Sequence, residues 1–344
     1  EGKASDNGTI DTTAPVITVD APDNTSDNTP LISGTTDVPA GSVVSITVTD
    51  SRGSVQTVSA SVGADGRYSV EVPKALAEGR YTAEAVVKDP AGNEGRASDN
   101  GSVDITAPVI SVDIPEVSRD TTPTISGKTD VPAGTVVTIT VTGKDGHPQV
   151  VTTTVKDDGS FEVDVPEALP EGPVSVEAVV KDPAGNEGKA SDNGSIDITA
   201  PVISVAGHSV EEASSAAVKG FIQVSDKSPV TAITVAGKDV TSATAAHPVM
   251  IHTVRGTLIV TGYDAASGKV TYRYVEGGKA ADHSTGDNSV KDSFVVMVRD
   301  AAGNTAMDSL DIRITDTAPV AVHDTNSIKD TGMSVSGDVL SNDV

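Results

Sequence analysis

The chain has 344 residues, 49 of them acidic against 24 basic, for a formal net charge of −25, and it contains no cysteine and no tryptophan. That balance excludes nucleic acid as a partner, because a phosphate backbone demands a basic face. It disfavours anionic membrane surfaces for the same reason, and it removes disulfides as staples for small domains, leaving a bound metal as the other common one. Aromatic residues make up 2% of the chain, so any core is built from Val, Ile, Ala and Leu, and at 37% apolar there is enough for small β-domains. No apolar run is long enough to span a bilayer and no signal peptide is present. The chain starts and stops in mid-pattern, as a fragment of something longer would.

The stretch EGRASDNGSVDITAPVISVD, beginning at Glu94, recurs in near-copies at Glu1 and Glu187, a spacing of 93 residues both times. A fixed period of this size means an array of similar units. Each copy lies across a boundary, with an acidic residue (Asp11, Asp104, Asp197) two residues ahead of Thr-Ala-Pro. Residues 1–13 therefore read as the last strand of a preceding unit, 14–106 as a first domain, 107–199 as a second and 200–317 as a longer, divergent third. Residues 318–344 open a following domain.

Within the first domain, Tyr68, Val70 and Val72 share one strand face, and so do Tyr81, Ala83, Ala85 and Val87. Period-2 runs of this length are half-buried strands. TVTDSRG, GADGRY and DPAGNEG supply turns with Gly, Asn and Asp where positive φ is tolerated. About seven strands without helical pattern indicate an all-β fold, an Ig-like antiparallel sandwich. The second domain repeats this: Val137, Ile139 and Val141 stand for Val44, Ile46 and Val48, and Phe161, Val163 and Val165 for Tyr68, Val70 and Val72. The third keeps APVISV and the turn DAAGN but inserts a hairpin-like GTLIVTGYDAASGKVTYRYVEGG, followed by the polar loop AADHSTGDNSVKD and the strand SFVVMV. The expectation is a linear array of sandwiches.

TAPVISVD, DTTPTISGKTDVPAG and VVKDPAGNEG together resemble the tandem bacterial Ig-like domains of giant type I-secreted RTX and biofilm adhesins of Gram-negative bacteria. GTLIVTGYDAASGKVTYRY, DSFVVMVRDAAGNTA and SVSGDVLSNDV are similar to the VCBS or cadherin-like repeats of the same proteins. The resemblance implies an extracellular, cell-surface, non-enzymatic stalk segment. Such a segment is monomeric, is rigidified by calcium and touches the neighbouring domains of its own chain, and it holds a distal adhesive region away from the cell.

The residues suit that chemistry. Calcium takes six to eight oxygen ligands from carboxylates, carbonyls and Asn. In an up-and-down reading of seven strands, the first strand and the second-to-third and sixth-to-seventh loops share one pole. The candidate ligands are then Asp11, Asp37, Asp89 and Asn93 at the first joint, and Asp104, Asp130, Asp182 and Asn186 at the second. The third joint offers Asp197, Asp226, Asp300 and Asn304, and Asp316 stands at the joint that follows. Asp65 and Asp157–Asp158 form a second group at the same pole, where a turn-forming role is an even alternative. Asp20, Asp27, Asp113 and Asp120 lie at the opposite pole and read as turn formers.

His147, His208, His247, His252, His283 and His323 are scattered, without metal spacing. No GxSxG or phosphate loop occurs, and acidic pairs lack aromatic walls that would hold a sugar for hydrolysis. An alternative function makes the divergent third domain a glycan- or protein-binding module through Tyr263, Tyr272 and Tyr274. Core packing is the more economical reading of those three.

Overall fold

The computed structural model describes residues 3, 8–278 and 289–316. They contain strands and turns and no helix. Two compact units emerge, Glu1–Glu116 with Thr121–Gly194, and Val117–Asp120 with Ser195–Val344.

The first domain carries β1 (Leu31–Thr35), β2 (Val43–Thr49), β3 (Val55–Ser61), β4 (Arg67–Glu71), β5 (Gly79–Lys88) and β6 (Glu94–Val103). One sheet runs β3-β2-β5-β6 and the other pairs β1 with β4. The opening segment joins the smaller sheet through bridges Ile17–Thr36 and Asp20–Ser33, then crosses to bridge Thr25 in parallel with Val103 on the larger one. The chain thus passes between layers, where a simple up-and-down order would keep successive strands adjacent. The poles still alternate as the sequence implies. Alternation sets the core: Val44, Ile46 and Val48 of β2 are fully buried, opposite Val87, Ala85 and Ala83 of β5. Each such Val or Ile side chain contributes ~1.5–3 kcal/mol by leaving water.

The second domain has β7 (Ile110–Asp113), β8 (Thr124–Thr129), β9 (Val136–Thr142), β10 (Pro148–Thr154), β11 (Ser160–Asp164), β12 (Gly172–Lys181) and β13 (Glu187–Ile196). Its sheets are β11-β8-β7 and β10-β9-β12-β13. The expected equivalences hold, with Val137, Ile139, Val141 and Phe161 all buried.

Strand glycines let aromatic rings lie flat against the backbone. A Cβ on Gly101 of β6 would fall 2.4 Å from both the Tyr81 ring and the Pro22 carbonyl. The Tyr81 hydroxyl donates to that same carbonyl at 3.0 Å, so ring, glycine and opening segment form one contact.

The third domain has β14 (Val202–Val205), β15 (His208–Glu211), β16 (Ala217–Ser225), β17 (Val230–Val235), β18 (Lys238–Asp239), β19 (Val249–His252), β20 (Gly256–Asp264), β21 (Lys269–Glu276), β22 (Ser289–Asp300) and β23 (Thr305–Thr315). Two five-stranded sheets, β14-β16-β21-β20-β19 and β15-β23-β22-β17-β18, enclose one core. The β20–β21 hairpin is part of a core sheet rather than an appendage, because β21 also pairs with β16 along seven positions from Ala217–Val275 to Gln223–Lys269. β22 begins at Ser289, so the end of the expected polar loop is strand, while residues 279–288 lie outside the described residues. β15 runs parallel to β23, extending to four residues the crossing that is a single bridge in the earlier domains.

Residues 8–13, expected as the end of a preceding domain's last strand, form no strand. The other copies of this stretch, β6 and β13, lie along β5 and β12, and a strand without such a neighbour has no ladder to join. The expected domain 318–344 is outside the described residues.

Candidate metal centre

The turn between β22 and β23, Asp300–Asn304, is built by its own side chains. Asn304 donates its backbone N–H to Asp300 Oδ1 at 2.8 Å and its side-chain amide to Asp300 Oδ2 at 2.9 Å. The same amide reaches the carbonyl of Asp197 at 2.8 Å. Asp197 sits just past β13, and its Oδ1 accepts the N–H of Thr199 at 3.0 Å while its Oδ2 accepts the Ser228 hydroxyl. Asp226, at the end of β16, accepts the N–H of Ser228 on Oδ1 at 3.3 Å. Its Oδ2 is buried with no hydrogen-bond partner.

The result is three carboxylates, Asp197, Asp226 and Asp300, each offering an oxygen within 4.8 Å of the others. Asp197 and Asp300 are 4% and 1% exposed. Burial pushes the Asp226 carboxyl above the usual carboxylate range, amide bonds from Ser228 and Lys227 oppose that, and the charges of Asp197 and Asp300 add to it. Two buried like charges beside a half-buried third, with one orphaned oxygen, are costly as they stand. An all-oxygen donor set without His or Cys suits a hard divalent cation, and Asn304 and the carbonyls of the joint could complete a shell of six to eight.

The first two joints carry the same Asp–Asn turn. Asn186 donates its side-chain amide to Asp182 Oδ2 and to the Asp104 carbonyl, each at 2.9 Å. Asn93 does so to Asp89 at 2.8 Å and to the Asp11 carbonyl at 3.1 Å. The third carboxylate differs. Asp37 accepts the N–H of Val16 and Asp130 that of Val109, both at 2.9 Å. Among the described residues the grouping of three carboxylates occurs at Asp197–Asp226–Asp300. Asp316 is exposed.

The second group caps local turns: Asp65 takes the N–H of Arg67 at 3.1 Å, and Asp158 takes the Ser160 hydroxyl at 2.6 Å and the Ser160 N–H at 3.0 Å, bonds that lower its pKa. At the other pole Asp27 takes the N–H and hydroxyl of Thr29. Tyr272 and Tyr274 are 3% and 0% exposed and belong to the core, with Tyr263 packed at its edge. His252 lies on the edge strand β19 with Nδ1 3.0 Å from the Thr257 hydroxyl, and His283 and His323 fall outside the described residues. Ser228 is a participant that the sequence reading omits. Away from this site the sequence reading also omits two buried acids, Asp292 and Glu276: Asp292 accepts the Tyr274 hydroxyl at 2.8 Å, and Glu276 the N–H of Ser215 at 3.0 Å.

The two-layer sheets and the recurring Asp–Asn turn at each joint define tandem Ig-like sandwich modules. Residues 4–106 and 113–200 match the bacterial Ig-like domain family, and the chain belongs to it. No curated protein matches the chain. Among solved structures it is similar to a tetra-tandem repeat from the extending region of a large adhesion protein, at 30% identity over 88% of this chain and 74% of that one, with a TM-score of 0.30. It is also similar to a 1.5-MDa bacterial ice-binding adhesin (18% identity, 89% and 98% covered, TM-score 0.38). A third is a Ca2+-stabilized adhesin with which an Antarctic bacterium binds ice (20%, 90% and 77%, TM-score 0.37).

Proposed function

We propose that this chain is a calcium-rigidified extender segment from the stalk of a large extracellular bacterial adhesin. It spaces an adhesive region from the cell surface, in cell adhesion and biofilm formation, and reaches the surface by type I secretion. The observation that carries this reading is the Asp197–Asp226–Asp300 group. Asp197 belongs to the joint, while Asp226 and Asp300 come from two different turns of the third domain. A divalent cation there would cancel the repulsion and tie the joint to both turns. The corresponding Asp and Asn residues at the first two joints are proposed as ligands of the same kind. No reaction is assigned to the chain, and it acts as a monomer.

Ligand linkage stabilises the folded state by about 2.7 kcal/mol when calcium is at 100 times its dissociation constant. Calorimetric titration of the chelator-treated chain with calcium should give saturable binding, and the melting temperature should rise. A melting temperature equal in chelator and in millimolar calcium would refute the reading. Magnesium should substitute poorly, since it demands a tighter octahedral shell.

A further inference from the structure

In a chain of net charge −25, one surface departs from the rest. The outward side of the sheet β14-β16-β21-β20-β19 displays Lys219, Lys269 and Arg273, all exposed, with Phe221, Met250 and His252 around them. Pairing between β16 and β21 sets Lys219 opposite Arg273, Phe221 opposite Thr271 and Gln223 opposite Lys269. Arg273 lies in turn beside Ile259, and Ile259 beside Met250. Ile259 is outside the core cluster yet only 6% exposed, as expected where long side chains lay their stems over a neighbour. Lys269 Nζ is 4.9 Å from the centre of the Phe221 ring.

None of these three cations forms an ion pair with a described residue. One carboxylate occupies an outward strand position, Asp264 beside the hairpin turn. It lies opposite Lys269 in the β20–β21 pairing, and bonds from the Ser267 hydroxyl at 2.5 Å and the Ala266 N–H at 3.1 Å, with the Lys269 charge adding a smaller effect, hold its carboxyl below the usual range. Every other outward strand position on this sheet is cationic, hydroxyl, amide, imidazole or apolar.

We propose that this face binds an acidic polysaccharide. The cations are spread rather than gathered: Lys219 and Arg273 are neighbours across strands, ~5 Å apart, and Lys269 lies four residues from Arg273, ~13 Å along the strand. An extended polyanion presents charge at several such points at once, and a small anion does not. Thr257, Thr261, Thr271 and Gln223 between the charges supply partners for sugar hydroxyls. The acidic remainder of the chain does not prevent this, because charges beyond about 8 Å are screened at physiological ionic strength.

The test uses the full chain and a size-defined sulfated heparin oligosaccharide, with neutral dextran and a single-stranded oligonucleotide of equal charge as comparisons. The oligosaccharide should bind saturably at 50 mM salt and weaken at 300 mM. The variant Lys219→Gln/Lys269→Gln/Arg273→Gln should bind it at least tenfold more weakly while keeping the wild-type far-UV circular dichroism spectrum, since all three side chains are exposed. If the triple variant fails to fold, Lys219→Gln alone should still weaken binding about threefold. Equal binding by wild type and variant, no binding by wild type, or equal affinity for the oligonucleotide overturns the proposal. The measurement is repeated in chelator, where binding should persist, so its outcome is independent of the calcium reading.

Discussion

Asn304 holds Asp300 from two sides, through its backbone N–H to one carboxylate oxygen and its side-chain amide to the other, at 2.8 and 2.9 Å. That grip orients Asp300 toward Asp197 and Asp226, and it recurs between Asn186 and Asp182 and between Asn93 and Asp89. Because the same amide also bonds the carbonyl of the joint residue, one side chain both shapes the turn and fastens the joint to it.

Asn304→Ala should therefore destabilise the third domain with or without calcium. It removes the side-chain amide's bond to the Asp300 carboxylate and its bonds to the Asp197 and Thr199 carbonyls, leaving the backbone N–H bond in place, which on the scale of bonds to charged groups costs about 1.5–3 kcal/mol. Denaturant melts in chelator check this. A variant as stable as wild type there would mean the turn holds without its amide.

Asp226→Asn should act with opposite sign in the two conditions. In chelator it removes the half-buried member of three clustered like charges, so stability should rise, on the order of 1 kcal/mol. In millimolar calcium it removes a ligand, so the calcium-induced rise in melting temperature should shrink. A variant that falls equally in both conditions would show that Asp226 serves packing alone.

Tyr81→Phe should cost about 1 kcal/mol, the worth of its hydroxyl bond to the Pro22 carbonyl. Gly101→Ala should cost more, roughly 1–3 kcal/mol, because its new methyl meets both the ring and that carbonyl at 2.4 Å. If chemical denaturation ranks the two the other way, the ring is free to shift away.

Asp311 gives a pH test remote from the joints. Bonds from Lys291, then from Ser293 and Ser309, hold its pKa down to about 2 from the usual 3.8. A carboxyl depressed on folding adds stability above its unfolded pKa and loses it as pH falls toward the folded one. The stability gap between wild type and Asp311→Ala should be full at pH 6 and close between about pH 4 and pH 2. A gap that does not change with pH would assign Asp311 a purely steric role.

Much of this was legible from residues in order. Period-2 alternation identified β2, β4, β5, β9 and β11, because a strand's two faces are set by neighbouring residues and need no distant partner. The acidic turns were legible for the same reason, since Asp-Pro-Ala-Gly-Asn and its variants are local structures. A further signal lay unread. Asp300 continues the inward phase of Phe294, Val296 and Val298, as Asp292 does at the strand's other end, so both carboxylates were bound to be buried.

The sequence alone thus determined a repeating all-β array with an Asp–Asn turn at each joint. It did not determine which joint assembles three carboxylates. Asp37, Asp130 and Asp226 look equivalent in order, yet Asp37 and Asp130 accept the amides of Val16 and Val109, while Asp226 keeps an unpartnered oxygen beside Asp197 and Asp300. Whether a loop carboxylate turns to a backbone amide or to two other carboxylates depends on the path of the whole loop against a strand more than twenty residues away. The cationic face has the same origin. Lys219 and Arg273 are far apart in the chain and adjacent in the protein because β16 and β21 pair in one register, and a shift of a single residue would have turned one of them into the core.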